Sequence, residues 1–286
     1  MTETLWPAPA KLNLFLHVIG RRPDGYHDLQ TIFQLIDLQD SIGLGVRADG
    51  LIERVAGPAE IPAEEDLAVR AARALKQASG TPLGATLRVI KRIPSGGGLG
   101  GGSSDAATTL LALNALWRVG FSIERLAEIG LGLGADVPVF VHGSSSWGEG
   151  RGERLTPVAL PPRWFAIIYP GVSVATRDVF QASELTRNSP ILTIRGLFSA
   201  GGPAQAGRND CEAVVRARVP AVAEALEWLG RHAPSRLTGT GSCVFAAFAS
   251  AAQAERVAAR VPDAWCSFVA RGLARSPVHE KLLPAV

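Results

Sequence analysis

The run Pro94-Ser95-Gly96-Gly97-Gly98-Leu99-Gly100-Gly101-Gly102-Ser103-Ser104 is where residue type and spacing speak most directly of chemistry. Glycines reach φ > 0 and let backbone approach a ligand closely, so successive N–H groups can converge on an anion. An apolar helical pattern follows from Asp105 to Trp117, and Ser103 or Ser104 is placed to cap it. The amides and dipole of that helix would then point at a bound phosphate. A flexible linker is a poor alternative, because misplaced glycine costs about 0.5–1 kcal/mol per residue and linkers are seldom bracketed by ordered patterns.

The run also fits the dinucleotide spacing at Gly96, Gly98 and Gly101. That reading needs a carboxylate about 20 residues on, at the end of a second parallel strand. The candidate, Glu124, sits instead in Ser122-Ile123-Glu124-Arg125-Leu126, which reads as a capped helix. No Gly-Lys-Ser or Gly-Lys-Thr exists, which excludes a Walker loop. The countercharge must come from elsewhere, and the only lysines are Lys11, Lys76, Lys91 and Lys281.

Two further residues complete a phosphoryl-transfer set. Asp136 lies between small and apolar residues in Gly134-Ala135-Asp136-Val137-Pro138-Val139-Phe140, where it can serve as a helix cap or as a base. Lys11 begins an alternating segment and can be a snorkelling strand-end lysine or a cation at a reaction centre. Transfer of a phosphoryl group to an alcohol needs a cradle, a cation and a carboxylate that orients or deprotonates the hydroxyl.

The elements that must position these groups are legible in outline. From Lys11, Leu12, Leu14, Leu16 and Val18 alternate with Lys11, Asn13, Phe15 and His17, the period of a strand. Lys11 and Asn13 therefore share a face. Gly20 to Gly25 contains Pro23-Asp24-Gly25 and predicts a hairpin turn, with Thr31 to Leu38 returning. A helix is expected over Glu64 to Ser79, a strand over Leu87 to Ile93, and a strand over Phe165 to Tyr169. A helix over Val219 to Arg231, a strand over Leu237 to Phe248 and a helix over Ala251 to Arg260 follow. Ser199 to Gly207 reads as a Gly/Ala/Pro-rich, mobile loop. The mixture lacks strict βαβ alternation and indicates an α+β class, with mixed sheets and helices packed on one face. Crowded prolines at Pro157, Pro161 and Pro162 suggest two domains, 1–157 and 158–286.

Composition narrows the setting. With 286 residues, 47% of them hydrophobic, the chain can bury a large core or two smaller ones. The net charge of +3 and the scattered arginines make no case for nucleic acid. Cys211, Cys243 and Cys266 are odd in number and without ligand spacing, as expected of reduced, buried thiols. His17, His142, His232 and His279 show no metal-ligand spacing and read as structural or surface residues. No secretory leader and no stretch of about 20 apolar residues is apparent, so a cytoplasmic protein without membrane attachment is expected.

Five segments together resemble one kinase superfamily: Pro9-Ala10-Lys11-Leu12-Asn13-Leu14, Arg22-Pro23-Asp24-Gly25-Tyr26-His27, Pro94 to Ser104, Gly134 to Phe140, and Gly239-Thr240-Gly241-Ser242. It is the superfamily of galactokinase, homoserine kinase, mevalonate kinase and phosphomevalonate kinase. The Pro-Asp-Gly-Tyr-His hairpin with Pro-Ala-Lys-Leu-Asn narrows the resemblance to the branch that acts on a cytidyl acceptor. The resemblance implies transfer of the ATP γ-phosphoryl group to the tertiary 2-hydroxyl of 4-diphosphocytidyl-2-C-methyl-D-erythritol, in the non-mevalonate route to isoprenoid precursors. It implies Asp136 as catalytic base, Lys11 as its partner and Asn13 as a holder of the polyol. Tyr26 and His27 would receive the cytosine, with Phe180 as second wall. Thr176 would hold the diphosphate side, and Thr240 and Gly241 would complete the acceptor site. The loop from Pro94 to Ser104, with Asp66 and Leu67 beside the adenine, would bind ATP; Asp66 stands where the family usually carries Asn. Mg²⁺ would be held mainly by the ATP phosphates, with no protein metal site beyond Ser103 or Ser104. A monomer or weak homodimer is expected. The rivals are another small-molecule kinase of the superfamily and a nucleotide-binding regulator without turnover.

Overall fold

A computed structural model describes residues 3–203 and 207–282. Its frame is a long hairpin, β1 (Thr4–Arg21) and β2 (His27–Arg47), paired antiparallel along almost their whole length. Both faces of this hairpin are covered. Lys11, Asn13, Phe15 and His17 are buried as well as Leu12, Leu16 and Val18, so the alternation marks two interiors and not an inside and an outside. The pairing shifts register between Pro9 and Ala10 and again between Asn13 and Leu16, irregularities that re-aim side chains on either side of Lys11 and Asn13.

On β2 the sheet divides. Its second half pairs with β4 (Gly84–Ile90), which pairs parallel to β3 (Ile52–Ala56), and its first half pairs with β5 (Ser146–Gly150), which pairs with β6 (Arg154–Pro157). Between them, β10 (Cys266–Leu273) joins β2 to β7 (Trp164–Tyr169), and β9 (Val244–Phe248) and β8 (Ser235–Leu237) follow. The result is one continuous, mixed sheet of the expected α+β class.

Helix α2 (Gly101–Leu116) is buried on almost every side from Ser104 to Leu113, as its Ala, Thr and Leu content permits. It packs against the hairpin, α1 (Leu67–Ser79), α3 (Ile123–Leu131) and α4 (Val137–His142). The largest apolar core lies here. A second core combines Leu16 and Val18 with residues of 166–257, and a third, with Leu12, Leu99, Phe165 and Phe245, sits between them.

Several local expectations need correction. The helix expected from Glu64 starts at Leu67, because the Asp66 side chain accepts the Ala68 amide and caps it there. Helix α2 starts at Gly101, with Gly100 as its cap at φ +73, so Ser103 and Ser104 lie inside the first turn and cap nothing. The strand expected from Leu237 to Phe248 is two strands, β8 and β9, joined by a turn over Thr238–Cys243. Cys211 and Cys243 are buried free thiols, but Cys266 is exposed. The Ser199–Gly207 loop falls partly on residues 204–206, which lie outside the described residues.

Candidate active site

Lys11 is only 3% exposed and sits in mid-strand, so burial forces its ammonium to find partners inside the protein. It finds three. Nζ donates to Asn13 Oδ1 (2.5 Å) and to the Gly98 carbonyl (3.0 Å), and it pairs with Asp136 Oδ2 at 3.2 Å. One cation thereby ties the strand, the glycine loop and the carboxylate together. Asp136 stands at the start of α4 but its side chain makes no capping bond there. The capping alternative therefore fails, and the carboxylate, with its side chain 34% exposed, opens to a cavity of about 510 Å³. Asn13 is held on both sides, its Oδ1 accepting from Lys11 and its Nδ2 donating to Thr31 Oγ1 at 2.9 Å.

The loop that lines this cavity owes its glycines to the protein as well as to any ligand. A Cβ on Gly96 would stand 2.7 Å from Ser173 Oγ, and one on Gly97 2.7 Å from Cys243 Sγ. On Gly98, at φ +74, it would stand 2.3 Å from the Thr238 carbonyl. The Gly239-Thr240-Gly241-Ser242 turn presses against the loop: the Ser242 and Cys243 amides donate to the carbonyls of Gly96 and Gly97. The amides of Gly101, Gly102 and Ser103 at the head of α2, which have no intrahelical acceptor, are open to an anion, in a helix long enough for its dipole to count.

Lys91 staples the two ends of the loop, a role that the sequence reading left unassigned. Its Nζ donates to Asp40 (2.5 Å) and to Asp105 (2.7 Å), while Asp40 also accepts the Ile93 amide at 2.8 Å. Burial works against the Lys91 charge, yet Asp105 and Asp40 hold its pKa above the ordinary value. Burial pushes the Asp105 carboxyl up to about 7 against the pull of Lys91, and Asp40 adds to the rise. Asp105 Oδ1 and Ser104 Oγ have no hydrogen-bond partner among the described residues. The available signal was position: a scarce lysine just before the loop and an acid just after it.

The predicted ATP residues Pro94 to Ser103, with Asp66 and Leu67, line the first cavity together with Lys91 and Asp105; Ser104 is buried behind it. Both Asp66 oxygens are taken, one by the Ala68 amide and the other by Arg54 Nη1 at 2.8 Å. Asp66 thus has a structural role, capping α1 and pairing with Arg54. Among the described residues no group of three His, Cys, Asp or Glu could hold a metal ion.

Tyr26, His27 and Phe180 line a second cavity of about 780 Å³, and Thr176 lines both. His27 and Phe180 are stacked, with ring centroids 5.2 Å apart. Arg187 donates from Nε to His27 Nε2 (3.1 Å), and burial first, then Arg187 and Arg21, lower the His27 pKa, so the ring is neutral at pH 7. With Nε2 accepting, Nδ1 carries the proton. Thr176 and Thr240 share a hydrogen bond of 2.9 Å. Gly241 lines neither cavity; it turns the chain, its amide donating to Thr238.

A buried lysine joined to a glycine loop and a carboxylate, beside a helix head, is the arrangement of a small-molecule kinase. Two family models match accordingly, "GHMP kinases N terminal domain" over residues 66–144 and "GHMP kinases C terminal" over residues 196–266. A crystal structure of mevalonate kinase superimposes with a TM-score of 0.66 at 14% identity, over 94% of this chain and 99% of that one, which shows the shared fold. The class is therefore GHMP kinase. The chain belongs, more narrowly, to the 4-diphosphocytidyl-2-C-methyl-D-erythritol kinase family. Proteins of that name from Halorhodospira halophila and Alkalilimnicola ehrlichii are each 56% identical to it, over 100% and 97% of this chain and 99% and 94% of their own lengths. A crystal structure of 4-(cytidine 5'-diphospho)-2C-methyl-D-erythritol kinase matches with a TM-score of 0.82 and 33% identity, over 95% of this chain and 99% of that one.

Proposed function

We propose that this chain transfers the γ-phosphoryl group of ATP to the 2-hydroxyl of 4-diphosphocytidyl-2-C-methyl-D-erythritol, the acceptor named by its relatives, in the non-mevalonate route to isoprenoid precursors. The observation that carries this reading is the three-way contact of Lys11 with Asn13, Gly98 and Asp136. Asp136 accepts the hydroxyl proton as the oxygen attacks. Lys11 keeps that carboxylate aimed and, bonded to Gly98, holds it at a fixed place beside the phosphate loop. Asn13 positions Lys11 while lining the acceptor side. A positioned base contributes about 10²–10⁴-fold.

The glycine cradle fits an ATP triphosphate, whose charge would rest on the amides of Gly101 to Ser103, with adenine towards Leu67 and Asp66. The donor set offers Mg²⁺ no protein cage, so the ion would be held mainly by the ATP phosphates, where it offsets their charge. Cytosine would lie at Tyr26, with His27 Nδ1–H as donor to its acceptor edge and Phe180 as the opposite wall. Thr176, Thr240 and the Gly241 turn would shape the diphosphate side.

Separate cores support a division into an ATP-binding and catalytic part, 1–157, and an acceptor-binding part, 158–286, although Leu16, Val18 and β10 cross between them. A cytoplasmic monomer or weak homodimer fits this reading; among the described residues no helix is long and apolar enough to cross a membrane.

The test is ADP release with Mg·ATP and four acceptors: diphosphocytidyl methylerythritol, mevalonate, homoserine and galactose. Turnover is expected with the cytidyl acceptor alone, and Asp136→Asn should lower it about 10²-fold or more while ATP affinity stays within a few-fold. Turnover with another acceptor overturns the substrate; near-normal turnover in Asp136→Asn removes the base.

A further inference from the structure

The two cavities meet at Leu29, Ala135, Arg151, Thr176 and Phe180, which line both. Arg151 is the only charged side chain in that neck. It occupies the tight turn between β5 and β6, where Gly150 and Gly152 have φ of +70 and +107. The turn closes on Glu153, whose Oε2 accepts the Arg151 amide at 2.6 Å, and a Cβ on Gly150 would stand 2.7 Å from the same carboxylate. The backbone that carries Arg151 is thus held, while the guanidinium lies 4.8 Å over the Tyr26 ring. Among the described residues this guanidinium forms no salt bridge. Asp24, the acid that lines the second cavity, is already bonded to Arg22 and to the Tyr26 amide.

We infer that Arg151 binds the diphosphate of the acceptor as it passes through the neck. The inference rests on the acceptor reading above. A molecule with its base at Tyr26 and its reacting hydroxyl at Asp136 must lead its linking group past Leu29, Ala135 and Arg151. For a diphosphate diester that brings two negative charges to the single cation there. A guanidinium fork suits two phosphate oxygens, and the Tyr26 ring supports it without neutralising it. The other arginines are less apt. Arg187 is spent on His27 and on the carbonyls of Phe180, Ala182 and Leu185, and Arg21 and Arg177 line only the outer cavity.

The experiment is equilibrium binding of CDP and of cytidine to the full-length protein by calorimetry, without ATP. Wild type should bind CDP at least about tenfold more tightly than cytidine. Arg151→Met should lower that preference about tenfold while cytidine affinity, which reports an intact fold and base site, changes less than about threefold. Arg151→Lys, with the charge but not the fork, should fall between, and Arg177→Met should keep the preference. An Arg151→Met protein that retains the full preference for CDP overturns the inference and leaves the acceptor reading standing. A wild type that does not prefer CDP overturns both.

Discussion

Around the glycine loop Lys11, Lys91 and Asp40 have found partners inside the protein before any ligand arrives, whereas Tyr26 is 55% exposed and Arg151 and Arg177 line its cavity without an ion pair among the described residues. Lys11 donates to Asn13 and Gly98 and pairs with Asp136, Lys91 joins both ends of the loop, and the loop carbonyls receive amides from the facing turn. The cavity at Lys11 and Asp136 is therefore preorganised by the fold, as the proposed transfer would require, since charge would shift there. The cavity at Tyr26 keeps cations and an aromatic face available to a ligand. In the proposed function the acceptor's specificity would lie in those open side chains, while the loop backbone, through the Gly98 carbonyl, helps to hold the Lys11 and Asp136 side chains in place.

The same substitution made once in each region tests that contrast most strongly. Gly98 and Gly25 both hold positive φ, +74 and +85. A Cβ on Gly98 would meet the Thr238 carbonyl at 2.3 Å, whereas one on Gly25 would meet nothing within 4 Å. Gly98→Ala must displace the backbone that Lys11 grips, so we expect turnover to fall about 10²-fold or more, with a clear drop in melting temperature. Gly25→Ala should pay only the left-handed cost of about 1–2 kcal/mol and keep turnover within about threefold. Similar losses in steady-state assays of the two proteins would erase the distinction.

A smaller effect is expected at Tyr26. Loss of a ring that stacks a base costs about 1–3 kcal/mol, so Tyr26→Ala should raise KM for the cytidyl acceptor about tenfold or more and leave KM for ATP nearly unchanged. A rise confined to KM for ATP would place the base elsewhere.

The same contrast governs what could be read from the chain. The glycine loop and the strand–turn–strand around Pro23-Asp24-Gly25 follow from residue type and spacing, whereas the pairing of Lys11 with Asp136 comes from the family resemblance. Even there the reason was incomplete, because Gly96, Gly97 and Gly98 are required by Ser173, Cys243 and Thr238, partners far away in sequence. The start of α2 was misplaced for a local reason, since a glycine in the left-handed region can cap a helix without a side chain and leaves no Ser or Asp as its mark. Lys91 with Asp40 and Asp105, and Arg187 with His27, are long-range pairs between ordinary surface-type residues, and nothing in their spacing separates them from solvated charge. Arg151 was invisible for the same reason: its meaning comes from the meeting of two cavities.

A last contrast, read in stability and not in turnover, concerns Asp105, a buried acid unlike the exposed ion pairs of Arg22 with Asp24 and Asp28 at the other cavity. Its carboxyl is pushed from an ordinary 3.8 up to about 7, first by burial and then by Asp40 and Asp66 against Lys91. Below about pH 4 it is protonated in the folded and the unfolded chain alike and takes nothing from stability. Between about 4 and 7 the unfolded chain gives up this proton and the folded one keeps it, so folding stability falls as pH rises, and above about 7 the loss is constant. Asp105→Asn has no such proton and can still accept the Lys91 hydrogen bond. The difference in unfolding free energy between Asp105→Asn and wild type should therefore move in favour of the variant from pH 4 to 7, by an amount on the order of a few kcal/mol, and then level off. A difference that stays flat over this range would mean that Lys91 keeps Asp105 ionised throughout, and that the loop is stapled by a permanent charge.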